Sequence, residues 1–194
     1  MITADLDAAL DRIRAWTRAA LGRDTLISAP AVSGPATAGR SLAVGELASL
    51  FARAETTLPT LLPSHDLLTA TRSVQVQTMW LDISADQRAH FPEFAAAYDP
   101  EAERRRPAGS AGELFLPEFV PIADRDASTL FLDTRPGEQH GCVSEYSATG
   151  DGTGPWWPSL SAIFTALADS LTTGEPFLRH RPRVEHGGLH RQPA

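Results

Sequence analysis

The pattern of apolar and polar residues predicts strands near the centre of the chain. Residues 129–134 have the length and the β-branched and aromatic content of a strand, and their consecutive apolar side chains indicate cover on both faces. A proline and a glycine directly after this run predict a turn. Residues 141–147 then predict a returning strand. We therefore expect an antiparallel hairpin or meander that is entered through the extended segment 120–123.

Amphipathic patterns on both sides of this centre predict helices. The clearest helix covers residues 3–21, where Thr3 is a candidate N-cap and Gly22 follows the last turn. Similar patterns predict helices near 43–53 and from a Ser159 cap to about residue 173.

A further helix is predicted from residue 70 to about residue 83. Its start is ambiguous, because residues 74–77 also alternate as a strand does. If the helix forms, its spacing predicts a buried face made of Val76, Met79, Trp80 and Ile83.

Turn-forming and charged residues predict the irregular parts of the chain. We expect a loop over 28–40, a glycine-rich turn over 150–155, and a loop over 101–112 that contains the solvated run Arg104 to Arg106. The segment 95–98 predicts one helical turn, and 182–190 predicts a final hairpin that turns at 186–188.

The charge of the chain argues against a nucleic-acid partner. The 194 residues carry a net charge of −7, whereas nucleic-acid-binding domains usually present a basic face. All 17 basic residues are arginine, and four of them lie in residues 179–194 beside a single acid. An acidic protein of this kind fits a basic protein partner.

One cysteine and an ordinary apolar content favour a reducing compartment. A single cysteine cannot form an internal disulfide framework. The first residues lack the pattern of a signal peptide, and no apolar run approaches the length of a membrane span. We expect a cytoplasmic protein with no membrane association.

Candidate catalytic and cofactor residues are few. Cys142 lies near His140, but no hydrolase motif surrounds it, so a buried, inert thiol is expected. Asp124, Asp126 and Asp133 offer carboxylates around one strand for a metal, although turn capping explains such residues as well. The tail histidines His180, His186 and His190 have irregular spacing. We predict no enzyme activity, no metal and no cofactor.

The pair Trp156-Trp157 is the most promising contact feature. The glycines before it resemble a phosphate-binding loop only superficially, since a proline follows where a helix should begin. One indole is expected to anchor the following helix to the sheet, and the other, Trp156, either shares that role or contacts a partner.

Several short motifs, taken in order, resemble the SUKH superfamily, which contains the Smi/Knr cell-wall regulators and bacterial toxin-immunity proteins. They are P-I-A-D at 121–124, L-F-L-D-T-R-P-G at 130–137, G-C-V at 141–143 and W-P-S-L at 157–160. The resemblance covers roughly residues 42–190, a single predicted domain to which an N-terminal helical segment at 1–24 is added. Two loops depart from the family pattern, at 53–56 and 125–128.

The resemblance implies an α+β fold, with a mainly antiparallel, bent sheet and helices packed on one face. It also implies a non-enzymatic protein-binding domain, an immunity protein that neutralises a cognate polymorphic toxin, with a basic toxin domain as partner. We predict contacts through Asp124, Asp126, Asp133, Glu145 and Trp156, although Asp133 alternatively caps a turn. The alternatives are a regulatory or scaffolding protein of the cell envelope, and a small metal-dependent or cysteine-based hydrolase.

Overall fold

The computed structural model describes residues 2–26, 42–55, 58, 60–147 and 154–194. The loop predicted at 28–40 and most of the glycine-rich turn predicted at 150–155 lie outside these residues. The described chain forms helices and strands in the order α1(Ile2–Leu21), α2(Leu42–Ala54), β1(Asp66–Leu67), α3(Ala70–His90), α4(Pro92–Ala97), α5(Pro100–Arg105), β2(Phe119–Arg125), β3(Ser128–Asp133), β4(Val143–Ser147), α6(Leu160–Thr173), β5(His180–Glu185) and β6(Gly188–Pro193).

This arrangement is α+β, which confirms the predicted fold class. The chain divides into two compact units, one formed by Met1–Thr69 with Leu160–Ala194 and the other by Ala70–Ser159. The division differs from the predicted boundaries at 1–24 and 42–190, which stay predictions.

The first unit is a helical cluster in which α1 packs on α2 and α6. The helix α1 buries one stripe at the spacing of a core-facing helix, made of Leu6, Leu10, Ile13 and Thr17. At its polar edge the Arg53 guanidinium lies 3.2 Å from Asp7 and 2.6 Å from Asp11, so α2 is tied to α1 by charge as well as by packing.

The tail of this unit is the predicted hairpin of β5 and β6. The strands pair antiparallel, with Glu185 opposite Gly188, so that a two-residue turn joins them. His186 and Gly187 have φ of 51° and 72°, which is the left-handed pair typical of a type I′ turn. Leu189 is buried, and its carbonyl accepts the Thr60 hydroxyl at 2.9 Å.

The second unit contains the predicted meander, with strand order β2-β3-β4 and antiparallel pairing throughout. A register shift between Pro121 and Ala123 places a bulge at Ile122. The two-residue turn between β2 and β3, Asp126-Ala127, has φ of 52° and 63°.

The helix α3 packs against β2 of this sheet. The Trp80 ring lies edge-on to Tyr146 at 5.1 Å between centroids and stacks on Phe115 at 6.2 Å. Ser73 donates its hydroxyl to the Pro121 carbonyl at 2.6 Å, and Gln77 donates to the Phe119 carbonyl at 2.8 Å. These bonds satisfy carbonyls of β2 and fix the helix along the strand.

Two features of the second unit differ from the sequence prediction. The helix α3 continues to His90, and the segment expected as a loop at 101–112 begins with α5. The start of α5 has a local cause, because Asp99 accepts the Glu101 N–H at 3.0 Å and Pro100 occupies the first helical turn.

Candidate functional site

Three of the predicted contact acids gather at the turn between β2 and β3. Asp124 lies opposite Thr129, while Glu145 on β4 accepts the hydroxyl of Ser128. The Asp124 carboxylate accepts the Thr129 hydroxyl at 2.5 Å, and Thr129 in turn accepts the Trp80 indole N–H at 2.8 Å. Asp124 and Glu145 are half-buried, and only Asp126 is fully exposed. The acids at this end therefore serve the sheet first.

Asp133 is not a surface residue, and its assignment as a partner contact is wrong. Its side chain is 1% exposed and lies 2.7 Å from the equally buried guanidinium of Arg135. Its carboxylate also accepts the backbone N–H of Arg135 at 3.0 Å and that of Gly109 at 2.9 Å. The alternative assignment is confirmed, because Asp133 caps the turn that follows β3.

Arg135 extends this buried network to the segment before β2. It donates to the carbonyls of Glu103 at 3.1 Å and Ser110 at 2.8 Å, and its guanidinium carbon lies 4.9 Å from the centre of the Phe119 ring. All of its bonds are therefore spent inside the unit.

Trp156 lies at the other end of β4 from the acidic turn. Its backbone N–H donates to the Val143 carbonyl at 2.9 Å, and Val143 N–H donates to the Trp157 carbonyl at 2.9 Å. Val143 is the first residue of β4 and Ser147 the last, which places the two ends about 14 Å apart at 3.4 Å per residue. The side chain of Trp156 is 41% exposed. The structure therefore separates Trp156 from Asp124, Asp126 and Glu145.

The residues considered for hydrolase chemistry are placed in structural roles. Cys142 is buried, as predicted, and burial raises its thiol pKa, with the nearby Asp133 charge as the second cause. The described ranges contain no group of three His, Cys, Asp or Glu side chains placed to hold a metal ion. The arginines at the end of α5 pair locally, Arg104 with Glu118 at 2.7 Å and Arg106 with Glu103 at 3.0 Å.

The exposed side of α3 carries an apolar surface that the sequence prediction missed. We expected Met79 and Ile83 on the buried face, but they are 41% and 38% exposed. The buried stripe is instead Ser73, Val76, Trp80 and Ser84. The reason is the close approach of α3 to β2, which favours small serines at the contact and turns the two larger residues outward.

These two residues belong to a ridge with a spacing of four residues, which we call the α3 ridge: Met79, Ile83, Gln87 and Phe91. The N–H of Phe91 still bonds to the Gln87 carbonyl, so the ridge follows the helix to its end. At 1.5 Å per residue it is about 18 Å long. Phe91, at 54% exposed, opens into a groove of about 360 Å³ between α3 and α4, lined by Gln87, Phe91, Glu93, Phe94, Ala97 and Tyr98.

Acidic side chains flank the α3 ridge. Asp82 and Asp86 follow Met79 and Ile83 by three residues each, and Glu93 lines the groove. Within the part of the chain that the structure describes, these three carboxylates form no hydrogen bond or ion pair. The surface therefore combines exposed apolar area with unneutralised negative charge.

Comparison with known proteins leaves this surface without a precedent: no family model, no curated protein and no solved structure matches the chain. The resemblance to the SUKH superfamily therefore stays a prediction that rests on the quoted motifs. No helix among the described residues has the length and apolar character needed to cross a membrane.

Proposed function

We propose that this chain is a non-enzymatic protein-binding domain, an immunity protein that covers a basic surface of a cognate toxin. The observation that carries the proposal is the α3 ridge with its flanking carboxylates. The function itself follows the expectation from the sequence motifs, and the ridge adds a surface suited to it.

Exposed apolar side chains are the first support. Among the described residues, six large apolar side chains are exposed, and four of them, Val74, Met79, Ile83 and Phe91, lie on α3 or directly after it. Contiguous apolar area rimmed by polar residues is typical of protein-interaction sites. Full burial of such a side chain by a partner contributes about 1.5–3 kcal/mol, so a few anchors supply a useful affinity.

Charge is the second support, and it selects the kind of partner. Residues 70–159 contain 14 acids and 7 arginines, whereas the remaining residues contain 10 of each. The net charge of −7 is therefore concentrated in the unit that carries the ridge. A basic partner is attracted to such a surface and associates faster at low salt, while an acidic partner is repelled.

The test is capture of a partner by a ridge variant and by a matched control. We expect Met79→Lys with Ile83→Lys to abolish capture, because the change removes two apolar anchors and adds charge that repels a basic partner. Val74→Lys is the control, since Val74 is 61% exposed on the same helix but about 140° or more around it from Met79 and Ile83. Lysine is a good helix former, so both variants should fold.

Affinity capture from the source cells, followed by mass spectrometry, measures the outcome, and a growth assay measures neutralisation. The proposal requires a basic protein that is retained by the wild type and the control, is lost by the ridge variant, and is toxic when expressed without this chain. Equal retention by both variants, or a partner without toxicity, contradicts it.

A further inference from the structure

We propose that a second site, which we call the indole groove, accepts the guanidinium group of an arginine side chain presented by the partner. The inference rests on the proposed function, because it names the chemistry by which a basic partner is held at a point away from the α3 ridge. The groove has a volume of about 260 Å³ and is lined by Glu138, Gln139, Cys142, Pro155, Trp156, Trp157 and Pro158.

The walls of the indole groove are aromatic and fixed in place. The rings of Trp156 and Trp157 lie 5.9 Å apart between centroids, tilted by 49°. Both residues are held through their backbone to Val143, the first residue of β4. The indole that is 41% exposed therefore keeps its position without a ligand, which reduces the entropy lost on binding.

An unneutralised carboxylate lies in the same groove. Glu138 is exposed, and within the described residues it forms no hydrogen bond or ion pair. Its turn is anchored from below, because His140 Nδ1 lies 2.9 Å from the Arg135 carbonyl and the Arg135 side chain is locked to Asp133. The buried pair thus positions the loop that carries Glu138.

An indole face and a carboxylate in one groove match a guanidinium better than other common groups. The guanidinium is planar, stacks on an aromatic face and donates two parallel hydrogen bonds to a carboxylate. A phosphate or carboxylate ligand is repelled by Glu138, and an ammonium ion lacks the flat surface for stacking. The volume is sufficient for one arginine side chain.

The test uses N-acetyl-arginine amide as the probe and the indole N–H resonances of the full chain as the readout. The chain has four tryptophans, and Trp156→Phe assigns the relevant signal. We expect the Trp156 signal to shift in a saturable way with a dissociation constant in the millimolar range. N-acetyl-citrulline amide has nearly the same shape without the charge, and it should shift the signal at least tenfold more weakly.

Glu138→Gln should weaken the arginine probe by about fivefold or more, whereas Glu93→Gln on the α3 surface should leave it unchanged. Equal shifts with the citrulline probe, or no effect of Glu138→Gln, overturn the inference. Tighter binding of free arginine than of the blocked probe also overturns it, because it indicates a metabolite site. Loss of partner capture by the ridge variant tests the proposed function separately, so the two failures are distinguishable.

Discussion

At the residue scale, the ion pair of Asp133 and Arg135 decides how the end of β3 is built. Both side chains are 1% exposed, and together they satisfy each other, two backbone N–H groups and two carbonyls. A buried charge that loses its partner is far less favourable than a buried pair. The sequence shows D-T-R-P-G as an ordinary turn, and nothing in its pattern distinguishes a surface acid from a buried one.

Asp133→Ala is therefore expected to destabilise the protein by about 3–5 kcal/mol, because it leaves the Arg135 guanidinium buried and unpaired. The double change Asp133→Leu with Arg135→Met should cost clearly less. Urea unfolding of both variants measures the difference. A single variant as stable as the wild type would show that the pair is solvated and that the turn is held by other bonds.

The lone thiol gives a second test at this scale. Burial raises the pKa of Cys142, so the native thiol should not react with Ellman's reagent at pH 8 until the chain unfolds. The raised pKa also has a sign for stability. The unfolded chain releases the thiol proton first, so stability should fall as the pH rises above about 8.5.

The reaction in native buffer and in urea measures reactivity, and unfolding at pH 7 and pH 9.5 measures the slope. Cys142→Ala should lose the part of the slope that belongs to the thiol. Rapid modification of the folded protein would contradict the assigned burial and reopen a nucleophilic role for Cys142.

At the element scale, the β2–β3 hairpin carries a turn whose residues fit it poorly. A type I′ turn needs positive φ at both central positions, where Asp-Gly and Asn-Gly are preferred, but the second position here is Ala127 at 63°. A left-handed alanine costs about 1–2 kcal/mol. The turn is formed because β2 and β3 pair over their full length on both sides of it.

Ala127→Gly should therefore stabilise the protein by about 0.5–1 kcal/mol, after the entropy cost of glycine is subtracted. Ala127→Val should destabilise it, because a β-branched residue is worse in the same conformation. Thermal unfolding of the pair measures the effect, with roughly 2–4 °C expected per kcal/mol. If both changes lower the melting temperature, the turn does not have the left-handed geometry.

The same scale shows how far the sequence could predict the structure. The strands, the tail hairpin and helices α1, α2 and α6 follow from periodicity and turn residues, because each has one clear buried face. The helix α3 does not, since it packs on β2 through Ser73 and Ser84 and leaves Met79 and Ile83 outside. Periodicity identifies apolar faces, but it does not tell which face a neighbour covers. The α3 ridge was therefore invisible until the partner strand was known.

At the scale of the whole molecule, charge and chain connectivity separate the two units. The acidic excess belongs to Ala70–Ser159, and this unit also carries the α3 ridge, the acidic turn and the indole groove. The other unit is neutral on balance, although its tail, residues 179–194, has four arginines and one acid. The proposed binding surfaces therefore all lie on one continuous segment of chain.

The other unit is discontinuous, and this affects how the protein is made. The first helix emerges early from the ribosome, yet Arg12 finds its partner Asp169 across 157 residues of sequence. Unit 70–159 consists of one uninterrupted stretch with near-neighbour pairing, so it is able to fold during synthesis. The helix α1 must wait, with its apolar stripe uncovered, until α6 has been translated. Nascent chains stalled before residue 160 should thus depend on chaperones more than completed ones.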